Sequence, residues 1–100
     1  MTKVEAKQSL AEALKKCIAE TLRQSGREMP ELKSYELHPI LDIEGFDSQC
    51  GIEVTVELEV VLKIDDLSNN IFIKVVNGRS RARTFNEILD AILPLMGTKQ

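Results

Sequence analysis

Few residues in this 100-residue chain could do covalent chemistry. There is one histidine, His38, and there are two cysteines, Cys17 and Cys50. A serine hydrolase needs a base within hydrogen-bond reach of the hydroxyl and a third group to orient that base. His38 stands before Pro39, which biases its backbone toward an extended form. Alone in a loop, it is expected to be a structural or surface residue and not a general base. The cysteines show neither metal-ligand spacing nor a Cys-x-x-Cys pattern, so both are expected as reduced thiols and no metal site is expected. No nucleophile, base and orienting group can be assembled, and the chain is not expected to be an enzyme. What remains is Asp47-Ser48 within "EGFDSQCGIEVTVELEVVL", residues 44–62. A hydroxyl at the mouth of a helix is reachable from solvent, and the unpaired amides and helix dipole there favour an attached phosphate. The commonest task of such a serine is simply to cap the helix. Asp47 could be the cap instead, which would leave Ser48 turned outward.

The elements that would position this pair can be read in two ways. From Ile52 to Val60 the letters alternate, I-E-V-T-V-E-L-E-V. That is the pattern of a half-buried strand, and the β-branched residues agree with it. Such a strand would pair with 71–76 in an α-β-β-α domain. Its connection, "VLKIDDLSNN", would be long for a hairpin, and residues 30–47 would still need a place. Read as a helix from Ser48, the same letters gather Ile52, Thr55, Val56, Glu59 and Leu62, with Leu58 and Val61 widening the face. Glu53 and Glu57 then stand outward one turn apart, a mild like-charge cost that a basic partner would offset.

The flanking segments are clearer. Leu10, Leu14, Cys17, Ile18 and Leu22 recur at helical spacing, alanines raise propensity, and Gly26 is the expected terminator. Residues 30–47 hold too many apolar side chains for a free linker (Leu32, Tyr35, Leu37, Ile40, Leu41, Ile43, Phe46). They are expected as an ordered, functional loop with one short turn. Thr84 and Glu87 form a capping box for a helix bearing Phe85, Ile88, Leu89, Ile92 and Leu95, running to about Met96. "IFIKVV" is short, apolar and β-branched, and Asn77-Gly78 is a turn signal.

Length sets one domain, residues 1–100. No apolar run is long enough to span a membrane. The N-terminal stretch "MTKVEAKQSLAEALKK" mixes acids and lysines where a secretory signal would be apolar, so a cytoplasmic protein is expected. The net charge of −3 conceals a segregation. Residues 31–70 carry ten acids against Lys33 and Lys63, a local net of −8, while both flanking thirds are basic. An acidic field of this kind keeps a protein soluble; it also favours basic protein partners and argues against nucleic acid.

The run "DIEGFDSQCGIEVTVELEVVL" resembles the attachment region of the phosphopantetheine-dependent acyl carrier proteins. That family carries an apolar-rich approach, Gly-Phe or similar, Asp-Ser, an apolar-Glu step and a Leu-Glu pair. Here these are Gly45-Phe46, Asp47-Ser48, Ile52-Glu53 and Leu58-Glu59. A long first helix, a long ordered loop and the "RTFNEILDAI" opening of the last helix extend the likeness over nearly the whole chain. The resemblance implies an all-α fold: a small four-helix acyl-carrier-like bundle with a long first loop and a short third helix. Helices are expected near 3–24, 48–62 and 84–96, with a short helix or irregular turn around 67–76. It implies 4′-phosphopantetheine covalently attached to Ser48, with Asp47 meeting the phosphopantetheinyl transferase and that enzyme's metal. Acyl groups would ride as thioesters on the arm, and acyl-loading and acyl-transferring enzymes with basic docking surfaces would meet Gln49, Glu53 and Glu57. Phe46 would pack beneath the loop, and Glu59 would turn partly inward. A monomer is implied.

Some positions depart from the family pattern. Gln49 stands where leucine is usual, Gly51 weakens the first turn, and 64–83 match poorly, with Arg79, Arg81 and Arg83 unusually basic. They imply a divergent or specialised carrier. The competing class is an acidic interaction or regulatory domain, α-β-β-α or helical, with no prosthetic group.

Overall fold

A computed structural model describes residues 2–65, 67 and 69–96. The chain runs α1 (Lys3–Gln24), α2 (Pro39–Asp42), α3 (Ser48–Leu62), β1 (Ile73–Val76), β2 (Arg79–Ala82) and α4 (Phe85–Met96). The three long helices fall where the sequence places them. The all-α four-helix bundle with a short third helix does not hold: four helices are joined by an antiparallel hairpin, and the short helix is α2, inside the long loop. Residue 68, within the expected 67–76 element, lies outside the described residues, as does residue 66 just before it.

The hairpin forms for local reasons. Asn77 and Gly78 both take positive φ, 52° and 76°, as a two-residue type I′ turn requires. Ile73 then faces Ala82, and Val76 faces Arg79. β-Branched residues before an Asn-Gly turn outweigh any helical tendency in 73–82. The alternative pairing of 52–60 with 71–76 fails as well, because 52–60 is helical and β1 pairs with β2.

Alternation misleads in α3 because its buried residues are Gly51, Val54, Thr55 and Leu58, spaced by three and four. Ile52 and Val56, expected on the inner face, are exposed. A helix can carry β-branched residues outside when packing of the opposite face decides its structure.

Capping closes the helix ends. Thr2 and Glu5 form a reciprocal box at the start of α1. At its end Gly26 lies at φ 76°, with Gly26 N–H donating to Arg23 O at 2.9 Å and Arg27 N–H to Leu22 O at 2.9 Å, a Schellman motif. The core gathers Leu10, Leu14, Ile18 and Leu22 of α1 against Phe46, Val54, Leu58, Phe72 and the inner face of α4. Leu95, expected on that α4 stripe, is exposed. Phe46 and Phe72 meet edge to face with centroids 5.0 Å apart. Two carbonyls tie the long loop to α4: Leu37 O takes Phe85 N–H and Tyr35 O takes Asn86 N–H, each at 2.8 Å. Two first-turn amides of α4 are thereby satisfied.

The expected capping box of α4 is present: Thr84 N–H donates to Glu87 Oε1 at 2.8 Å, and Glu87 N–H donates to Thr84 Oγ1 at 3.0 Å. The Thr84 amide, and then the Arg81 guanidinium, hold the Glu87 carboxyl down at about 2. A depressed carboxyl contributes stability that is present above its unfolded value and lost as pH falls through the folded one. That window runs from ordinary glutamate values down to about 2. A carboxyl ¹³C titration should show the Glu87 midpoint near 2, and Arg81→Gln should raise it while leaving it below an ordinary glutamate. An ordinary midpoint in the wild-type protein would refute the box.

Candidate functional site

The approach to Ser48 is built from a buried anchor and a tight bend. Ile43 and Phe46 are both buried, and between them Gly45 takes φ 83°. A Cβ at Gly45 would collide with the Arg27 side chain lying across it. Only glycine combines that φ with that close approach. Phe46 is thus set under the loop as expected, and the chain leaves it pointing into α3.

Asp47, not Ser48, is the N-cap. Its φ and ψ are extended, and Oδ1 accepts Cys50 N–H at 3.0 Å. That bond, from the backbone of Cys50, lowers the Asp47 carboxyl below its ordinary value. Ser48 is therefore the first residue inside the helix, exposed beside exposed Gln49. Its hydroxyl makes no hydrogen bond to the described residues. The hydroxyl is open to solvent at the N-terminus of a 15-residue helix, where unpaired amides and the helix dipole favour negative charge.

The first turn is held from beneath by a segment the sequence does not connect with it. Asn70 Nδ2 donates to Ser48 O at 2.9 Å, while its Oδ1 accepts Phe72 N–H at 3.0 Å. Thr55 Oγ1 donates to Gly51 O at 2.7 Å and accepts Ile71 N–H at 3.1 Å. Glu59 Oε2 accepts Leu67 N–H at 3.0 Å. Ser48, Gly51, Thr55 and Glu59 recur at three- and four-residue steps, so one edge of α3 carries a polar strap formed by Leu67, Asn70 and Ile71. Glu59 does turn inward. Gly51 is the helix position over which Asn70 lies: a Cβ there would stand 2.7 Å from Asn70 Oδ1.

Glu53 and Glu57 are exposed on the outer side of α3. Glu57 also lines a groove of ≈ 630 Å³ between α1 and α3, whose other charged residues are Glu12, Glu20 and Lys16. The acidic surface therefore extends onto α1, which the charge count by thirds does not reveal. Cys17 is buried at that groove and burial pushes its thiol up to about 11. Cys50 is half-buried, with its Sγ donating to Gly45 O at 3.7 Å, and burial raises its pKa too. Both are free thiols. His38 caps nothing with its ring; its Nδ1 faces Asp42 Oδ2 at 3.7 Å. No group of three or more candidate metal ligands occurs among the described residues.

No protein-family model matches the chain, and no match is found among curated proteins or solved structures.

Asn70 is the residue that sequence reading misses, because a lone asparagine in a polar loop carries no signal; Gly51 is the one available clue. In a helix, glycine to alanine ordinarily gains about 1 kcal/mol. Here Gly51→Ala should instead destabilise by about 1–3 kcal/mol, because Asn70 must give up one of its bonds or the helix must shift. In an Asn70→Ala background the same substitution should stabilise. Thermal denaturation of the four proteins checks this, and equal effects of Gly51→Ala in both backgrounds would rule the contact out.

Proposed function

We propose that this chain is an acyl carrier protein that bears 4′-phosphopantetheine on Ser48 and shuttles acyl groups between partner enzymes. The observation that carries the reading is the division of labour at the mouth of α3: Asp47 caps the helix, so Ser48 is exposed and its hydroxyl is unengaged. The sequence likeness around Gly45-Phe46-Asp47-Ser48 points the same way, and the residues present fit the group. A phosphodiester on Ser48 Oγ would lie against the positive end of α3, and the Asn70 strap would hold the backbone steady beneath it.

Attachment needs Ser48 Oγ to form a P–O bond to the pantetheine-side phosphorus of coenzyme A as the diphosphate linkage breaks and adenosine 3′,5′-bisphosphate leaves. The hydroxyl proton passes to a base of the transferase. The bound arm supplies a terminal thiol that holds acyl groups as thioesters. Asp47, kept ionised by the Cys50 amide, offers a carboxylate to the transferase and its metal. Gln49, Glu53 and Glu57 present a polar and acidic surface to basic partners, and Gln49 gives this mouth a polar first step where an apolar one is usual. The carrier role places the protein in the cytoplasm as a monomer. No helix among the described residues is long and apolar enough to cross a membrane.

Intact mass after incubation with a phosphopantetheinyl transferase and coenzyme A tests the site. Wild type should gain one phosphopantetheine group and Ser48→Ala none. Because Asp47 is the cap, Ser48→Ala should be nearly neutral for stability, whereas Asp47→Ala should cost about 1 kcal/mol. Full modification of Ser48→Ala would move the attachment elsewhere. A wild type left unmodified by several competent transferases would favour an interaction domain without a prosthetic group.

Docking gives a separate test. Reversing Glu53 and Glu57 to lysine should weaken transferase binding far more than it lowers thermal stability, and added salt should weaken wild-type binding. Unchanged affinity of the double variant at low salt would reduce the acidic surface to a solubility device.

A further inference from the structure

We propose that the β1–β2 hairpin is a docking element for an anionic lipid surface. Every residue from Lys74 to Arg81 is exposed, so the hairpin projects from the core with both faces wet. Just before the turn β1 exposes one valine on each face, Val75 at 68% beside Ser80 and Val76 at 41% beside Arg79, so aliphatic surface flanks the tip on both sides. Around them stand Lys74, Arg79, Arg81 and Arg83, with no acid anywhere from Ile71 to Arg83. Arg81 pairs with Glu87 at 2.9 Å and Arg83 donates to Ile71 O at 3.3 Å. Lys74 and Arg79 pair with no acid among the described residues.

The cross-strand register sharpens the point. Lys74 lies directly opposite Arg81, and like charges so placed destabilise a hairpin. Cations on open sheet edges deter edge-to-edge aggregation, but that role calls for no exposed valines beside them. A hairpin end with a valine on each face and Lys74, Arg79 and Arg81 on the Val76 face matches the two components of a lipid surface: inserted tip-first, its apolar area enters the acyl boundary while Lys and Arg meet headgroup phosphates. Residues 73–82 contain no aromatic, so the hairpin lacks the stacking platform of a single-strand nucleic-acid binder and the aromatic anchors of a protein hot spot. A fluid lipid surface requires neither. The acidic net of residues 31–70 would be repelled by the same surface, so charge segregation would orient the protein hairpin-first.

Sedimentation of the full chain with vesicles tests the proposal. The protein should bind phosphatidylcholine vesicles that contain phosphatidylglycerol, should not bind phosphatidylcholine alone, and should be released by salt. The pair Lys74→Gln and Arg79→Gln should lower partitioning about 30-fold, at the usual gain per cation near an anionic surface. The pair Val75→Ser and Val76→Ser should also weaken binding while preserving its salt dependence. All four positions are exposed, and far-UV circular dichroism confirms that the variants remain folded. Absence of binding to the anionic vesicles at low salt would overturn the proposal, as would binding that both variant pairs leave intact. Soluble polyglutamate or a single-stranded RNA oligomer that displaces the protein from vesicles, with the valine variants unaffected, would also overturn it and assign the hairpin to an acidic protein or nucleic acid. Ser48→Ala should bind vesicles as wild type does, so failure here and failure of the attachment site read out separately.

Discussion

The structure depends on the polar strap along one edge of α3. A loop that crosses a helix must satisfy its own amides, because unpaired buried backbone groups cost about 1–3 kcal/mol each. Leu67 and Ile71 meet that demand with side chains of α3: Glu59 takes the Leu67 amide and Thr55 takes that of Ile71. Asn70 returns the favour by binding Ser48 O. The segment can then deliver Ile71 and Phe72 to the core, where both are buried. From there Phe72 backs Phe46, and Phe46 fixes the bend that presents Asp47 and Ser48. The exposed hydroxyl is thus held by contacts that reach it both along the chain and across the helix. Gly51 contributes by its missing side chain.

The hairpin and α3 show how the same residue types take opposite roles. Both contain runs of valine and isoleucine. In 73–82 a type I′ turn supplies a nucleus that only strands can use, and the two strands pair with little burial. In 48–62 an aspartate cap opens a helix and a left-handed Lys63 (φ 56°) closes it. Burial of Val54 and Leu58 against α1 then outweighs the preference of β-branched residues for extended structure. Turn and cap chemistry, more than the letters between, separates the two outcomes.

Much of this was legible in the sequence, and the limits have physical causes. The Thr84–Glu87 box, the Gly26 terminator and the stripe of α1 are local signals, and each appears where its chemistry predicts. Asn77-Gly78 is just as local, but a four-helix expectation displaced it. The helical reading centres the inner face of α3 on Ile52, Thr55, Val56 and Glu59, but the helix buries Gly51, Val54, Thr55 and Leu58, a face turned by about one residue, because Gly51 gives no apolar signal to set the rotation. Asp47 as cap and Ser48 as exposed neighbour stood open as alternatives, since both residue types cap helices well. Asn70 was invisible: its partners lie 22 residues away at Ser48 and two away at Phe72, and no period links the three. The acidic rim shared by Glu57 with Glu12 and Glu20 is likewise a product of packing α1 against α3.

The strap also bears on the order in which the chain assembles. Its three bonds to α3 span 8, 16 and 22 residues, whereas the Lys7–Asp90 pair between α1 and α4 spans 83. Loop-closure entropy rises with length, and contacts between near neighbours in sequence form first on that ground. The hairpin closes over an even shorter distance. The half of the molecule that holds the mouth of α3 is therefore the kinetically local half, and α1 is the piece that must search. A nascent chain releases α1 first yet uses it last, so its apolar stripe stays uncovered until α3 and α4 have been synthesised.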